Sequence, residues 1–149
     1  MRAVLQRVES ASVTVSNRLI SEIGKGILVF LGIELGDSEA DADYLLEKII
    51  NLRIFEDETG KMNLSLLDMD AELLVVSQFT LLGDCRKGRR PSFTNAERPE
   101  QARPLYDHLV SQAKKQVRFV AEGEFQAMMT VVIANDGPVT MLLDSKRFF

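Results

Sequence analysis

Two short segments place hydroxyl groups or unusual backbone where an apolar, strand-like run meets a loop, and such junctions often carry binding sites. Residues 77–81 read Ser-Gln-Phe-Thr-Leu, and residues 135–140 read Asn-Asp-Gly-Pro-Val-Thr. Ser77 and Thr80 follow an apolar run, and α/β sheets tend to place ligands at the carboxyl ends of their strands. In one interpretation, successive backbone N–H groups there form an oxyanion hole. In the other, the two hydroxyls only satisfy hydrogen bonds of a turn.

The second segment depends on Gly137 and Pro138. Proline cannot donate to a β-ladder, so this position must lie at a turn or at an edge. The preceding glycine permits unusual backbone angles. We therefore predict a turn between two strands at this point. An X-Pro bond can be cis, but on the residues alone an ordinary trans turn is the stronger interpretation.

Titratable side chains offer little for catalysis. The chain has one histidine and one cysteine, and neither falls in a metal-binding spacing, so we expect no metal ion and no cofactor. His108 lies on the polar side of an amphipathic helix and is expected at the surface. Cys85 lies among cationic residues, but no base that would activate it is evident. The carboxylates are scattered, and no glycine-rich segment ends in the Gly-Lys-Ser/Thr of a phosphate-binding loop.

A basic segment follows the first motif. Residues 86–90 read Arg-Lys-Gly-Arg-Arg, which is four cations in five residues, in a chain of net charge −4. The overall charge argues against a generic polyanion binder. The segment is either a solvated loop or a loop that contacts phosphates, since attraction to a nucleic-acid backbone needs only a local patch.

Composition bounds the class of protein. The chain has 149 residues, of which 46% are hydrophobic and 27% charged, which predicts one domain over residues 1–149 with a real core. No apolar run approaches the roughly 18 residues of a membrane span. The single cysteine excludes an internal disulfide framework and fits a reducing compartment. The first residues also lack the apolar block of a signal peptide, so we expect a cytoplasmic protein.

Hydrophobic periodicity supplies the elements that would position these residues. Residues 5–15 alternate and, with a turn at Ser16-Asn17, form a hairpin with residues 19–23; residues 27–33 are a central strand. A helix capped near Ser38 presents one apolar stripe, and a second helix spans residues 99–116. Residues 73–76, 117–120, 125–134 and 139–143 are further strands. The predicted order is β-β-β-α-β-α-β-β-β, an α/β fold in which a mixed sheet is layered with two helices.

The two motifs together resemble those of the D-aminoacyl-tRNA deacylase family. The likeness extends along essentially the whole chain, including the Met-Arg-Ala-Val-Leu-Gln-Arg-Val start and the Gly-Asp-Cys-Arg-Lys-Gly-Arg-Arg-Pro-Ser loop at 83–92. It implies a homodimeric hydrolase that cleaves the ester between a D-amino acid, or glycine, and the terminal ribose of tRNA. It also implies that the active site lies at the dimer interface. There a cis Gly-Pro unit of one subunit reaches into the pocket of the other, and backbone atoms handle the aminoacyl group.

The resemblance assigns roles to individual residues. The candidate catalytic residues are Ser77, Gln78, Phe79 and Thr80. The candidate substrate-binding residues are Leu81, Met129, Gly137 and Pro138. The candidate tRNA-binding residues are Arg86, Lys87, Arg89 and Arg90.

Three residues take looser roles. Phe79 is expected to pack behind the pocket, Arg7 to brace the Gly-Pro turn, and Met129 to be either a pocket wall or a plain core residue. Either Thr80 is the nucleophile or the tRNA's own ribose hydroxyl assists, and we favour the second because no side chain near Thr80 in sequence would take its proton.

Two rival hypotheses are an RNA-binding module without catalysis and a structural dimerisation domain. Neither explains both motifs.

Overall fold

The strand and helix boundaries below come from a computed structural model that describes residues 1–148. Within these residues the chain forms eight strands, two α-helices and one 3₁₀ helix (Phe79–Leu82). The helices are α1 (Glu39–Asn51) and α2 (Pro99–Ala113). The strands are β1 (Arg2–Val15), β2 (Arg18–Ile23), β3 (Gly26–Gly32), β4 (Phe55–Glu56), β5 (Met62–Leu64), β6 (Glu72–Ser77), β7 (Val120–Glu122) and β8 (Thr130–Asp144).

One mixed sheet organises the molecule, as predicted, and β1 is its hub. β1 pairs antiparallel with β2, β3 and β8, while β6 pairs in parallel with β3 on one side and β7 on the other. Ser16 and Asn17 connect β1 to β2 with φ values of 49° and 63°. Two successive left-handed residues are the signature of a type I′ hairpin turn, whose twist matches that of the flanking strands.

The core has two parts, one on each face of the sheet. The predicted stripe of α1 is buried in full against the first face, and it is formed by Ala42, Leu45, Leu46, Ile49 and Ile50. Leu73 and Val75 of β6 point to this face, whereas Leu74 and Val76 join the second cluster on the opposite face. A strand with both faces buried explains why residues 73–76 show no alternation of polar and apolar side chains.

The end of the chain differs from the sequence prediction. Residues 130–144 form one strand, β8, instead of two strands joined by a turn, and residues 125–129 precede it outside any strand. Gln6 pairs with Thr140 and Val8 with Asn135, so residues 136–139 bulge out opposite the single residue Arg7. The Gly-Pro unit therefore lies in a four-residue bulge within one long strand. Such a bulge interrupts the pairing locally without ending the strand.

Smaller differences concern short elements. The two strands of the β4–β5 hairpin do not appear in the predicted order, since strands of two and three residues carry too little pattern. β7 starts at Val120, so residues 117–119 are not strand. α2 ends at Ala113, before the predicted residue 116. Neither helix of the described residues is long and apolar enough to cross a membrane.

Candidate functional site

The first motif makes a tight bend that leaves backbone donors free. β6 ends at Ser77, and the N–H of Gln78 donates to the Leu31 carbonyl at 2.8 Å. The N–H of Leu81 then donates back to the Gln78 carbonyl at 3.3 Å. Among the hydrogen bonds of residues 1–148, none uses the N–H groups of Phe79 and Thr80. These two donors, at the start of a 3₁₀ helix, are the successive N–H groups that an oxyanion hole requires.

Two glycines allow this bend to pack closely, and the sequence analysis missed both. A Cβ on Gly32 of β3 would lie 3.0 Å from the Gln78 carbonyl oxygen and 3.1 Å from Cβ of Leu81. A Cβ on Gly83 would lie 3.1 Å from the Thr80 carbonyl oxygen. At these distances, any residue larger than glycine at either position would force the neighbouring atoms to move. The signal was available for Gly32, because a glycine ending an apolar strand often marks a close backbone approach.

Thr80 has no side-chain base within reach. Its hydroxyl is exposed, and Gln78 Nε2 donates a hydrogen bond to Thr80 Oγ1. No carboxylate or imidazole hydrogen-bonds to Thr80 within residues 1–148. His108 lies elsewhere, as expected near the surface, with Nε2 2.8 Å from Asp43 of α1. Residues 1–148 also contain no group of three His, Cys, Asp or Glu side chains placed to hold a metal ion.

Phe79 does not pack behind a pocket within the single chain, and its expected position behind a pocket shared by two subunits stays a prediction. Its side chain is 57% exposed. The ring meets Phe93 edge to face, with centroids 5.2 Å apart and planes at 72°. Phe79 follows the buried strand directly but lies on the outward side of the 3₁₀ helix.

The second motif is held by a buried arginine, as expected. The Gly137–Pro138 bond is cis, as the resemblance implies, and Gly137 has a φ of 114° that favours glycine. Arg7 is 4% exposed. Its Nε lies 3.0 Å from the Asp136 carboxylate and 3.3 Å from the Asp136 carbonyl oxygen, and its Nη1 donates to the Ile54 carbonyl at 2.7 Å.

A second side chain closes the bulge from the opposite face of β1. Gln6 Nε2 donates to Asn135 Oδ1 at 3.1 Å, and the hydroxyl of Thr140 donates to Gln6 Oε1. The amide therefore joins the two residues at which the bulge leaves and rejoins the β1–β8 ladder. Neighbouring residues on one strand point to opposite faces, so Gln6 and Arg7 hold the base of the bulge from both sides. The sequence analysis did not single out Gln6.

The structure does not bring the two motifs together within one chain. Ser77 is level with Leu31 of β3, which pairs with Ala3 of β1, whereas the Gly137–Pro138 bulge faces Arg7. Four residues along β1 correspond to about 13 Å, and β3 and β1 separate the strands that carry the motifs. Within one chain, the two motifs are therefore too far apart to line a single small pocket.

β8 offers a surface for contact with another chain. Within the described residues this strand pairs only with β1, so its other edge is unpaired. Val132 and Leu142 on β8 are 59% and 58% exposed. Long edge strands with exposed apolar residues readily pair with another chain.

The remaining candidates lie around the first motif. Leu81 accepts a hydrogen bond at its carbonyl from Arg2, which also pairs with the buried Asp144 at 3.0 Å and so links β8 to the motif. Met129 is half-buried against the second core cluster, beside Gly123, which leaves both of its interpretations open. A groove of about 740 Å³ lies between β2, β7 and α2, but none of the candidate site residues lines it.

The basic loop is closed and partly neutralised. Asp84 and Ser92 exchange two backbone hydrogen bonds of 2.7 and 3.0 Å at its base. Arg86 donates through Nε and Nη2 to the Asp84 carboxylate at 2.9 and 2.7 Å. These hydrogen bonds lower the pKa of Asp84 and raise the pKa of Arg86. The other cations are exposed and form no ion pair among residues 1–148: Lys87, Arg89 and Arg90.

Comparison with known proteins gives a consistent result. The family model described as D-Tyr-tRNA(Tyr) deacylase matches residues 4–144. Proteins named D-aminoacyl-tRNA deacylase from Syntrophus aciditrophicus (strain SB) and Clostridioides difficile (strain 630) are 67% and 59% identical over 149 residues, with full coverage of both chains.

Two solved structures share the fold. The protein named c-Myc DNA Unwinding Element Binding Protein is 47% identical, with a TM-score of 0.92, covering 97% of this chain and 98% of that one. The structure titled as a probable eukaryotic D-amino acid tRNA deacylase has a TM-score of 0.81 at 17% identity, covering 95% and 97%. At this identity the second match supports the fold alone.

Proposed function

The chain belongs to the D-Tyr-tRNA(Tyr) deacylase family, and from this premise we propose that it hydrolyses the ester between a D-amino acid and the terminal ribose of tRNA. The relatives that match over their full length carry the name of this activity. The observation that carries the proposal is the pair of free N–H groups of Phe79 and Thr80 at the end of β6. We place the reaction in the cytoplasm, where aminoacyl-tRNA is used.

Backbone donors supply the catalysis in this proposal. Water adds to the ester carbonyl carbon, and the carbonyl oxygen gains negative charge next to the N–H groups of Phe79 and Thr80. The bond to the ribose oxygen then breaks, the amino acid leaves as a carboxylate with release of one water proton to solvent, and the ribose oxygen takes up the other water proton. The neighbouring ribose hydroxyl of the tRNA relays that proton. In this proposal Thr80 is not the nucleophile, because the Gln78 amide that donates to its hydroxyl oxygen is not a base that could take its proton.

The active form in this proposal is a homodimer. The motifs lie on different strands and at different heights of the sheet in one chain. An isologous two-fold contact would place Gly137 and Pro138 of each subunit against residues 77–80 of the other. The unpaired edge of β8, with its exposed valine and leucine side chains, supports an interface next to the bulge.

Discrimination between enantiomers comes from the backbone of the bulge. A D- and an L-aminoacyl group differ only in the positions of the side chain and hydrogen on the α-carbon, and the side chains vary. A rigid surface close to the α-carbon is therefore needed. Arg7 and Gln6 hold the bulge from both faces, which makes its backbone such a surface. Glycyl esters have no side chain to clash, so we include glycyl-tRNA among the substrates.

The basic loop holds the tRNA. Exposed cations next to the first motif are placed to contact acceptor-stem phosphates, and they are Lys87, Arg89 and Arg90. Arg86 contributes less, because Asp84 already neutralises it. This local patch overcomes the net charge of −4, since electrostatic attraction to a phosphate backbone falls off within a Debye length of about 8–10 Å.

The test is incubation of the purified protein with matched D- and L-tyrosyl-tRNA. We expect rapid release of the D-amino acid and release of the L-amino acid at the uncatalysed rate. Equal hydrolysis of both esters would contradict the proposed role of the bulge. Binding of tRNA without any turnover would favour an RNA-binding module, and indifference to tRNA would favour a structural domain.

A further inference from the structure

The rings of Phe79 and Phe93 form an exposed aromatic pair between the first motif and the basic loop. They are 57% and 37% exposed, and their centroids lie 5.2 Å apart. Phe79 also carries one of the two free N–H groups of the motif. Adjoining exposed aromatic side chains usually mark a binding surface.

The backbone that follows Phe93 is held by hydrogen bonds. The Phe93 carbonyl accepts a hydrogen bond from Ala96 at 3.0 Å, and the N–H of Leu35 donates to the Asn95 carbonyl at 3.0 Å. The Phe93 ring lies against Gly83, where a Cβ would be 3.0 Å from its Cε1 atom. A ring held in this way loses little conformational freedom when a ligand stacks on it.

The charges around the pair favour a nucleic acid over a second copy of the chain. Phe93 follows Ser92, which closes the basic loop. The loop carries the exposed Lys87, Arg89 and Arg90. An apolar dimer contact over the rings would have to cover these cations, whereas unpaired nucleotides stack their bases on aromatic rings and pair their phosphates with cations.

We propose that the Phe79–Phe93 pair stacks an unpaired base of the tRNA 3′ end that precedes the terminal adenosine. This inference rests on the proposed function, because the ester on the terminal ribose must lie at the motif. The terminal nucleotide contributes a single phosphate, so the three cations of the loop serve the nucleotides before it.

The test compares two esters of the same D-amino acid, one on full-length tRNA and one on adenosine alone, with Phe93→Ala, Phe93→Leu and Phe93→Tyr. The readout is the ratio of kcat/KM on tRNA to kcat/KM on the adenosine ester, which cancels any general damage to the site. We expect Phe93→Ala to lower this ratio by about 5- to 150-fold, which corresponds to the ~1–3 kcal/mol of one stacked base. Phe93→Leu should lower it as well, since leucine has no flat face, and Phe93→Tyr should keep it.

Phe119→Ala is the matched control, because Phe119 is an exposed phenylalanine (45%) in the groove beside β7. It should leave the ratio unchanged. An unchanged ratio in Phe93→Ala, or a ratio preserved by leucine, would overturn the stacking. So would a change of oligomeric state in Phe93→Ala on sedimentation, since the ring would then cover a second copy. If the unaltered protein cleaves neither ester, the proposed function fails and this inference fails with it; if it cleaves both, only the inference is at stake.

Discussion

An Arg7→Lys substitution keeps the positive charge under the bulge but removes the planar fork that holds it. The guanidinium of Arg7 donates to the Asp136 carbonyl through Nε and to the Ile54 carbonyl through Nη1, and its Nε also forms an ion pair with the Asp136 carboxylate. Lysine has a single ammonium group in place of the planar guanidinium, so it can reach either Asp136 or Ile54 but not both. One charged hydrogen bond is therefore lost, which costs about 1.5–3 kcal/mol. For a chain of this size we expect Tm to fall by about 3–12 °C.

The same change should loosen enantiomer discrimination. If the bulge backbone excludes L-aminoacyl groups, losing one Arg7 hydrogen bond lets that backbone move. The free-energy difference between the D and L substrates then falls by up to the energy of that hydrogen bond. The ratio of kcat/KM for D- over L-tyrosyl-tRNA should then fall by about 10- to 100-fold, since ~1.4 kcal/mol corresponds to tenfold. Thermal unfolding and paired deacylation assays measure the two effects.

Arg18→Lys is the matched control. Arg18 is 74% exposed and lies 3.6 Å from Glu124, and an exposed ion pair contributes only about 0–1 kcal/mol. Neither Tm nor the D/L ratio should change beyond error. If Arg7→Lys lowers Tm but leaves the D/L ratio intact, the bulge is held for stability and does not select the enantiomer.

Three further predictions concern the motif, the loop and the sheet. Thr80→Ala should reduce deacylation only modestly, because the backbone N–H groups remain. Neutralising Lys87 and Arg90 together should make the log–log salt dependence of tRNA binding shallower by about 1.4–1.8, two contacts' worth, in filter-binding assays. Gly26→Ala should destabilise the fold by about 3 kcal/mol or more, because the new Cβ would lie 1.9 Å from a backbone carbonyl oxygen of β6. Gly24→Ala should cost much less, because a Cβ there meets only the end of a flexible side chain at 3.7 Å.

Each of these has a clear contrary result. A Thr80→Ala protein that folds and binds tRNA but turns over at the uncatalysed rate would make Thr80 the nucleophile. An unchanged salt slope would reduce the basic loop to solvated surface. Equal unfolding free energies for Gly26→Ala and a Gly24→Ala control, measured in urea, would contradict the close approach of β3 to β6.

The regular elements were predictable from the sequence because their patterns are local. The apolar stripe of α1 and the Ser16-Asn17 turn each depend on neighbouring residues, and the structure matches both. The bulge was not predictable from a proline rule. The rule says only that Pro138 does not donate a hydrogen bond to the β-ladder. A bulge of four residues opposite a single residue meets this condition as well as a turn does.

The candidate site was predictable as far as the motifs reach. Their residue types located Gly137 and the strand end at Ser77, and Arg7 was expected at the bulge. Gln6 was missed because its role depends on partners more than 40 positions away, whereas Gly32 carried a signal that was not used, a glycine at the end of an apolar strand. The exposure of Phe79 in the single chain was not predicted, because the direction of a side chain at a strand end depends on the bend that follows it.

In the proposed dimer, each active site combines the first motif of one subunit with the bulge of the other. This arrangement is tested by a mixed dimer in which one subunit carries Phe79→Pro and the other Gly137→Val. Proline removes a free N–H where the start of a helix tolerates it, and a Cβ on Gly137 would lie 3.2 Å from Arg7 Nη2. Each variant should be inactive as a homodimer.

The mixed dimer, isolated with two affinity tags, contains one site with both motifs unaltered if the motifs act across the interface. We therefore predict about half of the unaltered dimer's rate on D-tyrosyl-tRNA. If both motifs served the same subunit, every site in the mixed dimer would carry a substitution. A rate no higher than that of the two homodimers would contradict the account.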